Sequence, residues 1–237
     1  MRACTRNLER LMADVVLHQW RVSPFCTKVR KVLRHKGIAY RVENYNGLRA
    51  SRAAKLSAAG KLPVLDIDGQ RIGDSTAIAV FLDQRQMAPA LYPADPAEAA
   101  TARVFEDWAD ESLVLFEFFF RAEYPAAAAA AVRLLCEGRP AWEQPLFAPL
   151  FLRGLRRRLR ANGFRPEAKN EIEAAFLRHM ADLDTLLSGR DWLVGHQPSI
   201  ADFAVSAQID EVLRTSHLVE AVRALPRLSG WLARLAE

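Results

Sequence analysis

Ser23 and Cys26 stand three residues apart in the stretch "SPFCTKVR", and either could bring oxygen or sulfur chemistry to the start of a helix. Pro24 suits the first helical position, where the N–H that proline lacks would have no partner, so Ser23 becomes the N-cap. Its hydroxyl then lies beside unpaired N–H groups and the positive end of the helix dipole, a setting that favours a thiolate or another anion. A plain helix cap has the same signature. No His or Asp in the motif is placed to turn the hydroxyl into a nucleophile. Cys26 lies one turn further in, on or next to an apolar stripe with Val29 and Leu33, where a lone thiol serves as a small core residue. Because a helix start can also lower a thiol pKa, disulfide chemistry at Cys26 stays open.

Two later segments carry recognition chemistry. In "GKLPVL", Pro63 opens a strand after a loop and is a candidate for the cis form, while the Leu62 backbone can pair with an extended peptide ligand. In "GDSTAI", Ser75 is expected to cap the next helix, so that its hydroxyl and the first N–H groups could hold a carboxylate, and Asp74 could accept from an ammonium group. Each feature alone is ordinary turn and cap chemistry. All three in this order are harder to dismiss.

These residues need elements to hold them. "DVVLHQW" reads as a strand, "PFCTKVRKVLRHKG" as a helix stopping at Gly37, and "IAYRVENY" as a second strand. A short polar helix or loop follows from Leu48 to Ala59. "LPVLDIDGQRIGD" gives two strands about an Asp68-Gly69 hairpin turn, and "STAIAVFLDQR" a helix. "QMAPALYPADPAE", with Pro89, Pro93 and Pro96, reads as a linker. Beyond it the signals are helical. "ATARVFEDWADESLVLFEFFFRAEY" sets Phe105, Trp108, Ser112, Leu115, Phe116 and Phe119 along one stripe, and Ser199 and Asp202 form an S-x-x-D capping box before a buried helix. The expected layout is an extension over 1–11, a small α/β domain over 12–87, a linker over 88–98 and an all-helical domain over 99–237.

With these segments in place, the chain resembles the glutathione transferase superfamily over roughly Asp14 to Leu213. "SPFCTKVRKVLRHKGI" is similar to the N-terminal motif of the serine-type tau class and, with Ser in place of Cys, of the omega class. "GKLPVLDIDGQRIGDSTAI" is similar to the family's cis-Pro strand, hairpin and acidic-Ser segment, and "WLVGHQPSIADFAV" to its C-terminal capping-box signature. The resemblance implies a thioredoxin-like N-terminal domain joined to an all-α C-terminal domain. It further implies glutathione as co-substrate on the first domain and a small hydrophobic electrophile in the cleft between the two.

Carried over by position, Ser23 would be the donor that stabilises the glutathione thiolate. Leu62, before Pro63, would pair with the cysteinyl backbone, and Asp74 and Ser75 would hold the γ-glutamyl end. Lys61 is a weaker candidate for the glycyl carboxylate, and Arg49 and Arg52 are weaker still. Trp108, Phe116 and Phe120 lie on the helix that borders the electrophile pocket in the family, although core packing explains them equally well. Cys26 occupies the place of the resolving cysteine in glutaredoxin relatives. One departure stands out: over 122–166, including "YPAAAAAAVRLLCEGRPAWEQPLF", the chain spends more residues than most members between two helices. That insertion could reshape the pocket or a dimer contact.

Bulk properties narrow the partners. The chain has 237 residues, 51% hydrophobic, and a net charge of +5, enough for a full core and a mild preference for anionic small molecules. Cys4, Cys26 and Cys136 form no CxxC pair and lie near no His cluster, which argues for reduced thiols in a cytoplasmic setting without a metal. Neither a secretory signal nor a membrane span is expected, and Met12 opens a natural start at "MADVVLHQW". The basic run "RGLRRRLRANGFR" has no aromatic residue until Phe164 and matches no nucleic-acid motif, so it reads as a solvated or oligomer-facing helix. The expectation is a homodimeric transferase that conjugates glutathione to hydrophobic electrophiles, without nucleic-acid or membrane partners. A thiol transferase using Cys26 and a non-catalytic binding or scaffold protein of the same fold are the alternatives.

Overall fold

In the computed structural model of the protein, residues 15–236 are described. The expected extension 1–11, Cys4 and the start of the first domain at Met12 lie outside the described residues. The apolar run Val15–Gln19 forms strand β1, buried along its whole length. Helix α1 (Pro24–His35) follows and ends before Gly37, and β2 (Arg41–Asn44) returns parallel to β1. The expected polar segment is a 3₁₀ turn over Gly47–Lys55. Strands β3 (Val64–Ile67) and β4 (Gln70–Gly73) form the hairpin; Asp68 and Gly69 both take positive φ, 49° and 75°, as a tight two-residue turn requires. Helix α2 (Ser75–Arg85) completes the unit.

The sheet order is β2-β1-β3-β4, with β3 antiparallel to both β1 and β4. Register then decides where the motifs meet. Val64 stands opposite His18 on one side and Gly73 on the other, so the end of β1, the start of β3 and the end of β4 share one edge of the sheet. The turn before α1, the loop before Pro63 and the start of α2 therefore emerge together.

The second unit is helical: α3 (Pro96–Trp108), a π turn (Ala109–Leu113), α4 (Val114–Glu123), α5 (Pro125–Leu135), α6 (Glu143–Ala161) and α7 (Lys169–Leu186). Helices α8 (Ile200–Thr215), α9 (Val219–Arg223) and α10 (Pro226–Arg234) close it. Helix α3 starts inside the expected linker because Pro96 is its first residue rather than a breaker, with the Asp95 carboxylate accepting from the N–H groups of Ala97 and Glu98 at 3.0 and 2.9 Å. The long insertion is filled by α5 and α6.

Of the expected stripe, Leu115, Phe116 and Phe119 on α4 are buried and Phe105 and Trp108 pack half-buried against the core, but on α3 and the π turn the fully buried line is shifted. Ser112 is exposed, and the buried line runs through Ala102, Glu106, Ala109 and Leu113. On that line lies Glu106, a carboxylate that patterning assigns to the surface but that is buried against Lys28. Lys28 Nζ of α1 lies 2.6 Å from Glu106 Oε1 and 2.7 Å from Asp110 Oδ2. It also donates to Thr76 Oγ1 at 3.0 Å. A second cross-link joins Lys31 to Asp210 at 2.8 Å, and Thr27 donates to Glu211 at 2.8 Å. Around these charges the main core is continuous, from Leu17, Val29 and Leu65 to Phe119, Phe176 and Trp231.

A smaller core of Val22, Val132, Leu135, Cys136 and Phe147 fastens the α5–α6 insertion beside the turn that leads into α1. Glu143, at the start of α6, accepts from the Leu48 N–H at 3.0 Å and from Arg139 Nε at 3.1 Å. Gly47, at φ +56°, lets this carboxylate approach: a Cβ there would collide with Glu143. The capping box forms as its spacing implies. Buried Asp202 accepts from Ser199 N and Oγ at 2.9 and 3.1 Å, from Leu193 N at 2.9 Å and from Trp231 Nε1 at 2.8 Å.

Candidate functional site

Ser23 ends a turn in which its N–H donates to the Trp20 carbonyl at 3.1 Å, and its own carbonyl accepts the Thr27 N–H at 2.9 Å to begin α1. Its backbone is that of an N-cap, extended at φ −92°, ψ 125°, but its hydroxyl makes no bond to the helix N–H groups. The side chain lies instead in the wall of a cavity of about 450 Å³. The turn is clamped from the helical domain. Arg121 of α4 donates to the Val22 carbonyl at 2.7 Å and to Glu211 Oε2 at 2.9 Å, while also pairing with Glu117. Arg121 and Glu117 were not singled out from the sequence. The available signal was a pair of charges four residues apart in the otherwise apolar "FEFFFR".

Lys61 and Leu62 line the same cavity from the loop before β3, and the Leu62–Pro63 peptide is cis. Among the described residues Leu62 enters none of the backbone hydrogen bonds that tie the surrounding loops together. At the start of α2 the expected cap is corrected. Asp74, not Ser75, caps the helix, its Oδ1 accepting from Thr76 N and Ala77 N at 3.0 Å each, and Ser75 is the buried first helical residue. A carboxylate reaches two N–H groups from this position, whereas the next hydroxyl already points back into the fold. Asp74 holds φ 77°, ψ 132°, a conformation that costs a non-glycine residue about 1–3 kcal/mol and tends to be kept at functional positions. Asp74 and Ser75 share the sheet edge with Ser23 but do not line this cavity. Arg49 pairs with Glu43 and lies over the Tyr45 ring, and Arg52 is exposed.

The facing wall is helical. Phe118 of α4, Leu135 of α5 and Leu150, Phe151 and Leu155 of α6 make it apolar. The expected pocket residues Trp108, Phe116 and Phe120 are not in this lining. Phe116 and Phe120 face the core, with ring centroids 5.8 and 5.2 Å from Phe176, and Trp108 meets His179 edge-on at 5.6 Å. Helical periodicity accounts for the difference: positions 116 and 120 lie one above the other on the inner face of α4, and Phe118 is turned well away from them. The charged residues of the lining are Lys61, Arg121 and Arg158, all cationic.

The thiols stand apart from this chemistry. Cys26 is 0% exposed and outside the lining; burial pushes its thiol up to about 11, against the lowering pull of the Ser23 side chain, the Trp20 backbone and Arg30. Such a thiol is almost wholly protonated at neutral pH. Cys136 is also buried, and burial raises its pKa as well. Among the described residues no group of three or more His, Cys, Asp or Glu could hold a metal ion, and no helix is long and apolar enough to cross a membrane.

Comparison with known proteins agrees with this geometry. The family model for the glutathione S-transferase N-terminal domain matches residues 17–90, which contain the sheet edge, and that for the C-terminal domain matches residues 166–234. A glutathione S-transferase of Pseudomonas putida is 33% identical over 87 residues, 37% of this chain and 40% of its own length. The match thus spans less than half of that relative. The crystal structure of the β-etherase LigF from Sphingobium superimposes with a TM-score of 0.70 at 23% identity, covering 94% of both chains. A glutathione S-transferase from Methylobacillus flagellatus, solved with glutathione bound, gives 0.63 at 22% identity over 93% of both. The insertion 122–166 falls between the two matched segments except for its last residue, and the motifs on either side of it occur in the family's order. The chain belongs to the glutathione transferase superfamily.

Proposed function

We propose that the protein is a glutathione-dependent transferase that delivers the tripeptide's thiolate to a small hydrophobic electrophile. One observation carries this reading: a single cavity joins Ser23 at the start of α1 and Leu62 before cis Pro63 to an apolar wall from α4, α5 and α6. The glutathione bound in the Methylobacillus protein supports the ligand class. In this reading Leu62 pairs with the cysteinyl backbone, Asp74 and Ser75 hold the γ-glutamyl end, and Lys61 meets the glycyl carboxylate. The protein acts as a homodimer in the reducing cytoplasm, in keeping with the free thiols Cys26 and Cys136.

Magnitudes assign the part of Ser23. A thiol with a pKa of about 8.5 is only a few per cent ionised at neutral pH, and lowering that pKa by two units requires about 2.7 kcal/mol. A hydroxyl donating to the thiolate contributes about 1.5–3 kcal/mol. The helix start adds about 0.3–1 kcal/mol. The Ser23 hydroxyl does not cap the helix; its side chain contacts the Cys26 thiol, and it would turn from that partner to donate to the bound thiolate. The thiolate then forms a C–S bond to the electrophilic carbon, and the leaving group departs with its electron pair. A mixed-disulfide reductase working through Cys26 lacks comparable support, because that sulfur is enclosed and protonated.

The test has two steps: retention on immobilised glutathione, then conjugation of 1-chloro-2,4-dinitrobenzene by the wild type and Ser23→Ala near neutral pH. The variant is expected to stay on the matrix and to turn over about tenfold to a hundredfold more slowly. An unchanged rate removes the role given to Ser23. A wild type that shows no retention and no turnover overturns the transferase reading.

A further inference from the structure

Arg158 is the cation on the helical wall of the cavity that the fold does not pair; Lys61, on the opposite wall, is the residue already given to the glycyl carboxylate. It projects from α6 into the lining, with its guanidinium carbon 5.0 Å from the centroid of the Phe118 ring. Among the described residues its guanidinium makes no hydrogen bond and no ion pair; beyond the helix backbone, Arg158 takes part only through its carbonyl, which accepts from the Asn162 side chain at 2.9 Å. Neighbouring arginines are occupied. Arg121 is held by Glu117, Glu211 and the Val22 carbonyl, and Arg156 by Glu123 at 3.1 Å and the Ala122 carbonyl at 2.8 Å. The field of Arg158 reaches Glu117, but that carboxylate is fully buried and paired with Arg121. No carboxylate lines the cavity among the described residues.

A neutral apolar ligand filling this space would strip water from Arg158 and return nothing, a penalty that a well-placed anion removes. The guanidinium also lies against the Phe118 ring, and Phe151 of the same helix lines the cavity too, so the position suits a flat ring carrying its charge at the rim. We infer that Arg158 is a specificity-determining residue that binds an anionic substituent, a carboxylate or its equivalent, on an aromatic electrophile whose reactive carbon faces Ser23. This rests on the transferase reading for its chemistry, but the binding subsite can be tested separately.

A matched pair of electrophiles isolates the charge: 4-chloro-3,5-dinitrobenzoate and 4-chloro-3,5-dinitrobenzamide. In both, thiolate attack forms the C–S bond and expels chloride with the C–Cl electron pair. The wild type is expected to prefer the benzoate over the amide in kcat/KM by about tenfold to a hundredfold more than Arg158→Leu does, chiefly through KM, and Arg158→Lys should recover part of that preference. Calorimetric binding of the unreactive 3,5-dinitrobenzoate and 3,5-dinitrobenzamide to glutathione-loaded protein reads the same subsite without turnover. Equal benzoate preference in the wild type and Arg158→Leu, or a KM effect in Arg158→Leu that falls on glutathione instead of the benzoate, overturns the inference. Benzoate binding that depends on Arg158 in a protein without turnover upholds the subsite and overturns the transferase reading. Turnover without charge preference does the reverse.

Discussion

Replacing Lys28 with methionine removes one ammonium from a site that holds two carboxylates. The Lys28 side chain is 1% exposed, with its Nζ 2.6 Å from Glu106 and 2.7 Å from Asp110. Methionine preserves much of the apolar stem, so the loss is chiefly electrostatic. Left behind are Glu106, which accepts from Thr76 at 2.9 Å and Tyr92 at 3.2 Å, and Asp110, whose carboxyl burial already holds above its usual range against the pull of Lys28. Deleting one partner of a buried ion pair costs about 3–5 kcal/mol. With a urea m-value of about 2–3 kcal/mol/M, the midpoint should fall by roughly 1–2.5 M. The loss also has a direction in pH. A carboxyl whose folded pKa exceeds its unfolded one stabilises fully below the unfolded value, here 3.8, and loses that stability as pH rises through the folded value. Without the ammonium the Asp110 pKa rises further, so the deficit of Lys28→Met grows from mildly acidic to alkaline pH. Urea unfolding followed by circular dichroism on both sides of neutrality measures this, and adding Glu106→Gln should restore part of the alkaline loss. A deficit below about 1 kcal/mol, or one that is the same at both pH values, would refute the account of this pair as a buried, charge-dependent tie.

Other consequences can be checked in the same way. Asp202→Ala strands donors from Leu193, Ser199 and Trp231 in the core and should destabilise by about 3–5 kcal/mol in urea melts, with Asp202→Asn losing less. Burial raises Glu117 from 4.5 to about 7, so wild-type stability should decline across that interval as pH rises, and Glu117→Gln should flatten the decline in thermal melts taken along a pH series. Cys26, enclosed and with a pKa of about 11, should resist iodoacetamide in the native state and react once urea unfolds the chain, as mapped by peptide mass spectrometry. Labelling of native protein at Cys26 at the rate of a free thiol would contradict its burial.

What could be read from the sequence was what is determined locally. The Asp68-Gly69 turn, the cis Pro63 and the Ser199–Asp202 box depend on a few adjacent residues, and each formed where its pattern lies. The first domain's order of elements followed from alternating apolar runs and breakers. Features set by distant partners were hidden. Glu106 looks like a surface carboxylate until Lys28 meets it, and it lies on the buried line of α3 that patterning missed. Phe118 and Phe116 are alike in composition and differ only in which way α4 is turned, a property fixed by α7 and α8 packing against it. Arg158 was seen only as one charge in a basic run, since nothing in the run marks which arginine turns inward. The reversed roles of Asp74 and Ser75 reflect a one-residue ambiguity that only the backbone angles resolve.

Helix α6 supplies Leu150, Phe151, Leu155 and Arg158 from one uninterrupted stretch, docked on the first domain through Glu143, whereas Ser23, Leu62 and Asp74 are encoded more than sixty residues earlier. In the proposed reading, the residues given to the thiolate and most of those given to the electrophile therefore lie on separate lengths of gene. On that reading, changes within the α6 coding segment would alter what the cavity accepts without touching Ser23 or Leu62. A library that exchanges Glu143–Ala161 as a cassette, keeping Glu143 as the anchor, would sample new specificities on a conserved reaction.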